Sequence, residues 1–160
     1  MLHNVLKKMD ALIPVERASA HCDIPCKIYD PVSAQLAALS VIRLLDLINE
    51  VDEGNTAQLI RLVQEKETHA EKVKHEIRII WGDYFKAPQI EKFPDVHELV
   101  HKIMMTGSAC KQTVSREKGA ELLQLVNQFS EYFWATKDVE TYVVTSPYPP
   151  AEQVVYPVLK

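Results

Sequence analysis

Apolar positions recur along this chain at helical spacing, and almost nowhere at the alternation of a strand. Asp30-Pro31 reads as a helix start, with an acceptor at the cap and proline in the first turn. From there to about Asn49 the chain is apolar nearly all round, leaving one narrow polar stripe of Ser40, Arg43, Asp46 and Glu50. A helix with so little polar surface is buried on several sides, which in a small chain points to subunit contacts as well as an internal core. Asn49 to Asn55 reads as a turn, with Asn55 capping a long helix from about Thr56 to Tyr84. Its apolar stripe runs through Leu59, Leu62/Val63, Ala70, Val73, Ile77, Ile80/Trp81 and Tyr84, and breaks at Lys66-Glu67. That break reads as a snorkelling lysine beside a solvated glutamate.

Pro88 and Pro94 bracket what reads as a non-helical connection. A shorter helix follows from Asp95 to about Thr106, which Gly107 ends or bends. The last runs from about Ser115 to Lys137, its first turn weakened by Gly119. Four amphipathic helices with short connections predict an all-α fold, an antiparallel up-and-down four-helix bundle over residues 21–137. Residues 138–160 differ. Val143, Val144, Val154, Val155 and Val158 are interspersed with Pro147, Pro149, Pro150 and Pro157. This predicts a C-terminal extension, extended or partly disordered, in the manner of an arm lying on a neighbouring subunit.

With 160 residues, 47% hydrophobic and 25% charged, the chain suits one domain with a real core. No run reads as long enough for a membrane span. The formal charge is −4, and without residues 1–20 it becomes −5, so the balance argues against nucleic acid as a partner. Residues 1–20 end in Ala18-Ser19-Ala20, a small-x-small sequence suited to a processing peptidase. The apolar stretch Ala11–Val15 is short, contains proline and is followed by Glu16 and Arg17, whereas a secretory signal needs about 7–15 apolar residues before the cut. The segment reads as a maturation propeptide, and the expected location is cytoplasmic rather than secreted. Three cysteines leave at least one unpaired, and Cys110, among small residues, reads as a packed thiol.

The chemistry concentrates in His21-Cys22-Asp23-Ile24-Pro25-Cys26. Cleavage after Ala20 would make His21 a new N-terminus with a free α-amine, which titrates near pH ~8 and so is partly unprotonated at neutrality. Thiolates with nitrogen donors in a plane suit Ni(II) or Cu(II). A rival lies downstream. His97-Glu98-Leu99-Val100-His101 matches the zinc-peptidase pattern, with Glu117 or Glu121 as an imaginable third ligand. A third reading is a non-catalytic metal-binding helical assembly protein.

The segment His21–Pro31 resembles the nickel hook of nickel superoxide dismutases, matching every fixed position of HCDxPCxxYDP. Trp81-Gly82-Asp83-Tyr84-Phe85-Lys86-Ala87-Pro88 with Glu91-Lys92-Phe93-Pro94 is similar to a second family segment. Phe133-Trp134-Ala135-Thr136-Lys137 is similar to a third. The resemblance implies a homohexamer of four-helix bundles, a dedicated processing protease, one nickel ion per subunit and superoxide as substrate. It implies nickel held by the His21 amine and imidazole, the Cys22 amide and sulfur, and the Cys26 sulfur. Tyr29 would hang over the open nickel face, Asp23 would hold the hook's turn, and Lys27 is a candidate for local positive field. In the family the hook imidazole is held by a glutamate and an arginine. The corresponding positions here are Ala37 and His69, leaving a backbone carbonyl, His69 or Glu67 as the partner.

Overall fold

The computed structural model describes residues 27–159. Helix α1 spans Val32–Asn49 and begins where Asp30 Oδ1 accepts the Val32 N–H at 2.8 Å. It is followed by α2, Thr56–Ile79, whose cap is the Asn55 side chain accepting from Gln58 N–H. Then come α3, Ala87–Lys92, α4, Val96–Gln112, and α5, Arg116–Ala135, capped by the Ser115 hydroxyl. Short connections return the chain between the four long helices. α1 packs against α2 and α5, and α4 against α2 and α5, closing the ring of a four-helix bundle.

α1 is the most apolar of the four long helices and packs against α2 and α5. Ala34, Ala38, Val41, Ile42 and Leu45 are fully buried, and alanines let neighbouring backbones come close. Its 18 residues are long and apolar enough to cross a membrane by length and composition, contrary to the reading of the sequence. The approach of α5 is closest at Gly119, where a Cβ would stand 3.0 Å from Leu45 Cδ1 and 3.1 Å from Ile42 Cγ1. Gly119 is thus a packing residue. Gly107 does not end α4, which continues through it to Gln112. A Cβ there would meet the Lys74 side chain, which can move.

Lys66 is the clearest departure from expectation. It does not snorkel; it is 1% exposed. Its ammonium donates to the carbonyls of Lys111 and Thr113, each at 2.9 Å, where α4 ends. The cation meets the negative end of the helix and satisfies carbonyls that lack intrahelical partners. Burial lowers its pKa below the usual lysine value. Glu67 is exposed, in keeping with a solvated face.

The connection between α2 and α4 is also more ordered than expected. α2 widens into a π-helical turn, Ile80–Tyr84, with Phe85 N–H donating to Ile80 O. The extra residue turns Phe85 into the core, at 3% exposure. Between the two prolines lies α3 rather than a non-helical link, because Pro88 sits in its first turn, where the missing N–H costs nothing.

The tail folds back on its own chain. Strands β1, Thr141–Thr145, and β2, Gln153–Pro157, pair antiparallel with Val143 opposite Val155. Polar side chains fasten β2 to the bundle: Gln35 Nε2 donates to Val155 O at 2.8 Å, and Asn127 Nδ2 to Gln153 O at 2.9 Å. Arg116 bridges Asp46 of α1 and Glu152 at the start of β2.

Two stability predictions follow from these contacts. Gly119→Ala should lower the unfolding free energy in urea by about 1–2 kcal/mol, overpacking outweighing the gain in helix propensity. Gly107→Ala should stay within about 1 kcal/mol of the parent. Equal effects would contradict the close α1–α5 approach. Lys66→Met should lower stability by about 1–3 kcal/mol, since two part-buried carbonyls at the end of α4 lose a charged donor. An unchanged urea midpoint would contradict the capping role.

Candidate metal centre

His21, Cys22, Asp23 and Cys26 lie outside the described residues. The structure describes the ground the hook stands on. Lys27, directly after Cys26, is exposed and has φ of 59°, a left-handed conformation uncommon for a side-chain-bearing residue. Two residues on, the half-buried Tyr29 ring packs against Tyr84, centroids 6.0 Å apart and planes tilted by 52°.

Tyr84 is held from every side. Its ring stacks obliquely on Phe133 at 4.9 Å and meets Phe85 edge-on at 5.5 Å. Its hydroxyl lies 2.7 Å from Thr136 Oγ1. Because that threonine hydroxyl donates to Phe133 O, Tyr84 is the donor of the pair. Lys137 Nζ stands 4.7 Å from the Tyr84 ring centroid and 5.0 Å from that of Phe133. Three segments far apart in sequence therefore meet at one end of the bundle: the hook exit, the π turn closing α2, and the end of α5. Reading the sequence placed Tyr84 in an apolar stripe and in a family-like segment, without a role at the hook. A helical wheel cannot reveal that a π turn swings it toward Tyr29.

The positions that might orient a hook imidazole are partly described. Ala37 is buried at 2% among core residues. His69 is half-buried beside α1, lining a groove of about 330 Å³ with Leu36, Ser40, Arg43 and Tyr148. Its Nδ1 lies 2.9 Å from the Glu65 carbonyl oxygen, so Nδ1 carries the proton and Nε2 keeps a lone pair.

The HExxH reading fails on geometry. Trp81 Nε1 donates to His97 Nδ1 at 3.0 Å, and an indole can only donate. The neutral His97 proton therefore sits on Nε2, leaving no lone pair for zinc. Glu98, the required base, is ion-paired with Lys102 at 2.7 Å. Glu121 is taken by Lys118, and Glu117 by Ser115. Among the described residues no group of three or more His, Cys, Asp or Glu is placed to hold a metal. Cys110 is fully buried, and burial pushes its thiol up to about 11.

The family model of nickel-containing superoxide dismutases matches residues 16–137. This chain belongs to the nickel-containing superoxide dismutase family. The nickel superoxide dismutases of Streptomyces seoulensis and Streptomyces coelicolor are each 36% identical to it over 124 residues, covering 78% of this chain and 93% of theirs. A crystal structure of nickel-containing superoxide dismutase with ligation corresponding to the oxidized state superposes with a TM-score of 0.70 at 36% identity. That likeness covers 74% of this chain and 99% of that one. The native enzyme gives 0.69, with coverages of 73% and 99%. The hairpin lies beyond the family-matched residues. The residue types of the hook, two thiols and an imidazole within six residues, fit the nickel that the family carries.

A chain carrying His97→Ala with His101→Ala should bind zinc as the parent does in equilibrium dialysis. It should lose about 1 kcal/mol of stability, because the Trp81 N–H loses its acceptor. A fall of about tenfold or more in zinc affinity would restore the peptidase reading.

Proposed function

We propose that the chain beginning at His21 disproportionates superoxide to O₂ and H₂O₂ at a nickel site completed by removal of residues 1–20. The observation that carries the reading is an intact donor set within the family-matched region, three residues before a Tyr29 seated on Tyr84. The His21 amine and imidazole, the Cys22 amide and sulfur, and the Cys26 sulfur would hold the metal. Nickel, when bound, supplies one-electron redox chemistry, with thiolate and amide donors stabilising its higher state.

The chain's own residues do the rest. In the uncut chain the His21 nitrogen is an amide and offers no amine lone pair. Tyr29, backed by Tyr84, restricts the open side of the site to small anions. Asp23 holds the hook's turn through side-chain to backbone hydrogen bonds. A metal-bound imidazole donates its other N–H to an acceptor that orients the ring. Ala37 offers no such group, and the Nε2 lone pair of His69 is suited to the task.

Assembly as a homohexamer, a dedicated processing protease and a cytoplasmic location belong to the same proposal. Leu36, Ile60 and Met105, exposed at 46%, 60% and 59%, support burial against further subunits. No nucleic acid or membrane partner is part of the proposal. The membrane-length helix α1 packs against α2 and α5 in the bundle.

The test compares nickel-loaded chain starting at His21 with full-length chain under pulsed superoxide. Rapid decay that is first-order in superoxide and proportional to enzyme concentration is expected only in the first, and Cys22→Ser or Cys26→Ser should abolish it. Tyr29→Phe should keep nickel and raise KM more than it lowers kcat. Stoichiometric nickel without accelerated decay would replace this function with the non-catalytic metal-binding reading.

A further inference from the structure

Lys137 has no part in the donor set, and its setting is unusual. Its ammonium stands over the rings of Tyr84 and Phe133 with no carboxylate within ion-pairing distance among the described residues. The neighbouring cations are otherwise occupied. Lys86 Nζ donates to Gly82 O. Lys92 Nζ donates to Ala135 O and pairs with Asp138 at 3.4 Å. Lys92 thereby meets both the carbonyl end of α5 and the nearest acidic side chain. Among the described residues the charge on Lys137 is left without an acidic partner.

A lysine in an ion pair presents a dipole, whose field falls off quickly. A lysine on ring faces keeps its full unit charge, while the contact restrains its long side chain at little cost in desolvation. At physiological salt a field reaches about 8 Å before screening takes most of it. Tyr84, under that ammonium, is also the ring on which Tyr29 rests. Superoxide is an anion and the cut chain carries a formal charge of −5, so the mean field repels the substrate. Local positive charge beside the entrance reverses that repulsion where capture occurs.

We propose that Lys137, held over Tyr84 at the end of α5, is the residue that draws the anionic substrate to the Tyr29 side of the hook. This rests on the dismutase reading. It is a guiding residue, acting on approach and not on the electron-transfer step.

Two readouts test it. In the nickel-loaded chain starting at His21, Lys137→Gln should slow superoxide decay about threefold at low ionic strength. The gap should close in about 0.5 M salt, and Lys137→Arg should keep the parent rate and salt slope. The second readout needs neither nickel nor activity. The chain has two tryptophans, so in a Trp81→Phe background Trp134, one helical turn before Lys137, is the sole indole. In metal-free chain, Lys137→Gln should lower quenching of Trp134 by iodide about twofold and leave quenching by neutral acrylamide unchanged. An iodide-to-acrylamide ratio equal to the parent's would overturn the proposal, as would an unchanged salt slope in an active enzyme. An inactive parent whose iodide ratio still falls on substitution would overturn the dismutase reading and leave the local field of Lys137 standing.

Discussion

Everything known of the site's surroundings depends on how Tyr84 is clamped. One ring joins the hook exit at Tyr29, the core through Phe85 and Phe133, and the end of α5 through the Thr136 hydroxyl. The clamp exists because α2 gains a residue in its last turn, so that Tyr84 and Phe85 both point inward. A regular helix would place those two side chains about 100° apart and could not seat both. Tyr29, the π turn and the α5 terminus therefore pack as one cluster. The chain enters that cluster through a left-handed Lys27, a conformation that rigid surroundings are needed to maintain.

Much of this was legible from side-chain periodicity. The four long helices fall where apolar spacing put them, and the cap at Asn55 stands at the expected position. The misreadings share a physical cause, tertiary context overriding local pattern. Lys66 is buried because α4 ends opposite it and offers two carbonyls, which no feature of α2 alone announces. Gly107 stays within α4, and its missing side chain lies against Lys74 of α2. The tail's mixture of valine and proline read as an extended arm, and it is extended, in β1 and β2. Its anchors, Gln35 and Asn127, sit on helices 120 and 28 residues from their bonding partner Val155.

The site divides in the same way. The proposed metal site was readable because two thiols and an imidazole lie within six consecutive residues, and local spacing suffices for chelation. Its support was not readable, because Tyr84, Thr136 and Lys137 come together only through folding. The HExxH segment shows the converse. Its spacing was right, yet Trp81 fixes the His97 proton on the nitrogen that zinc would need, and Glu98 is neutralised by Lys102. Motif spacing establishes that ligands share a face. Protonation and ion pairing decide whether they can bind.

The central claim is that freeing the His21 amine completes a site on two thiols. Thiol titration with and without one equivalent of nickel tests it most directly. Cys110 serves as an internal reference, since a buried thiol raised to about 11 stays unreactive while the chain is folded. In the chain starting at His21, nickel should protect both Cys22 and Cys26 from alkylation; in the full-length chain it should protect neither. Equal protection in the two forms would contradict the account.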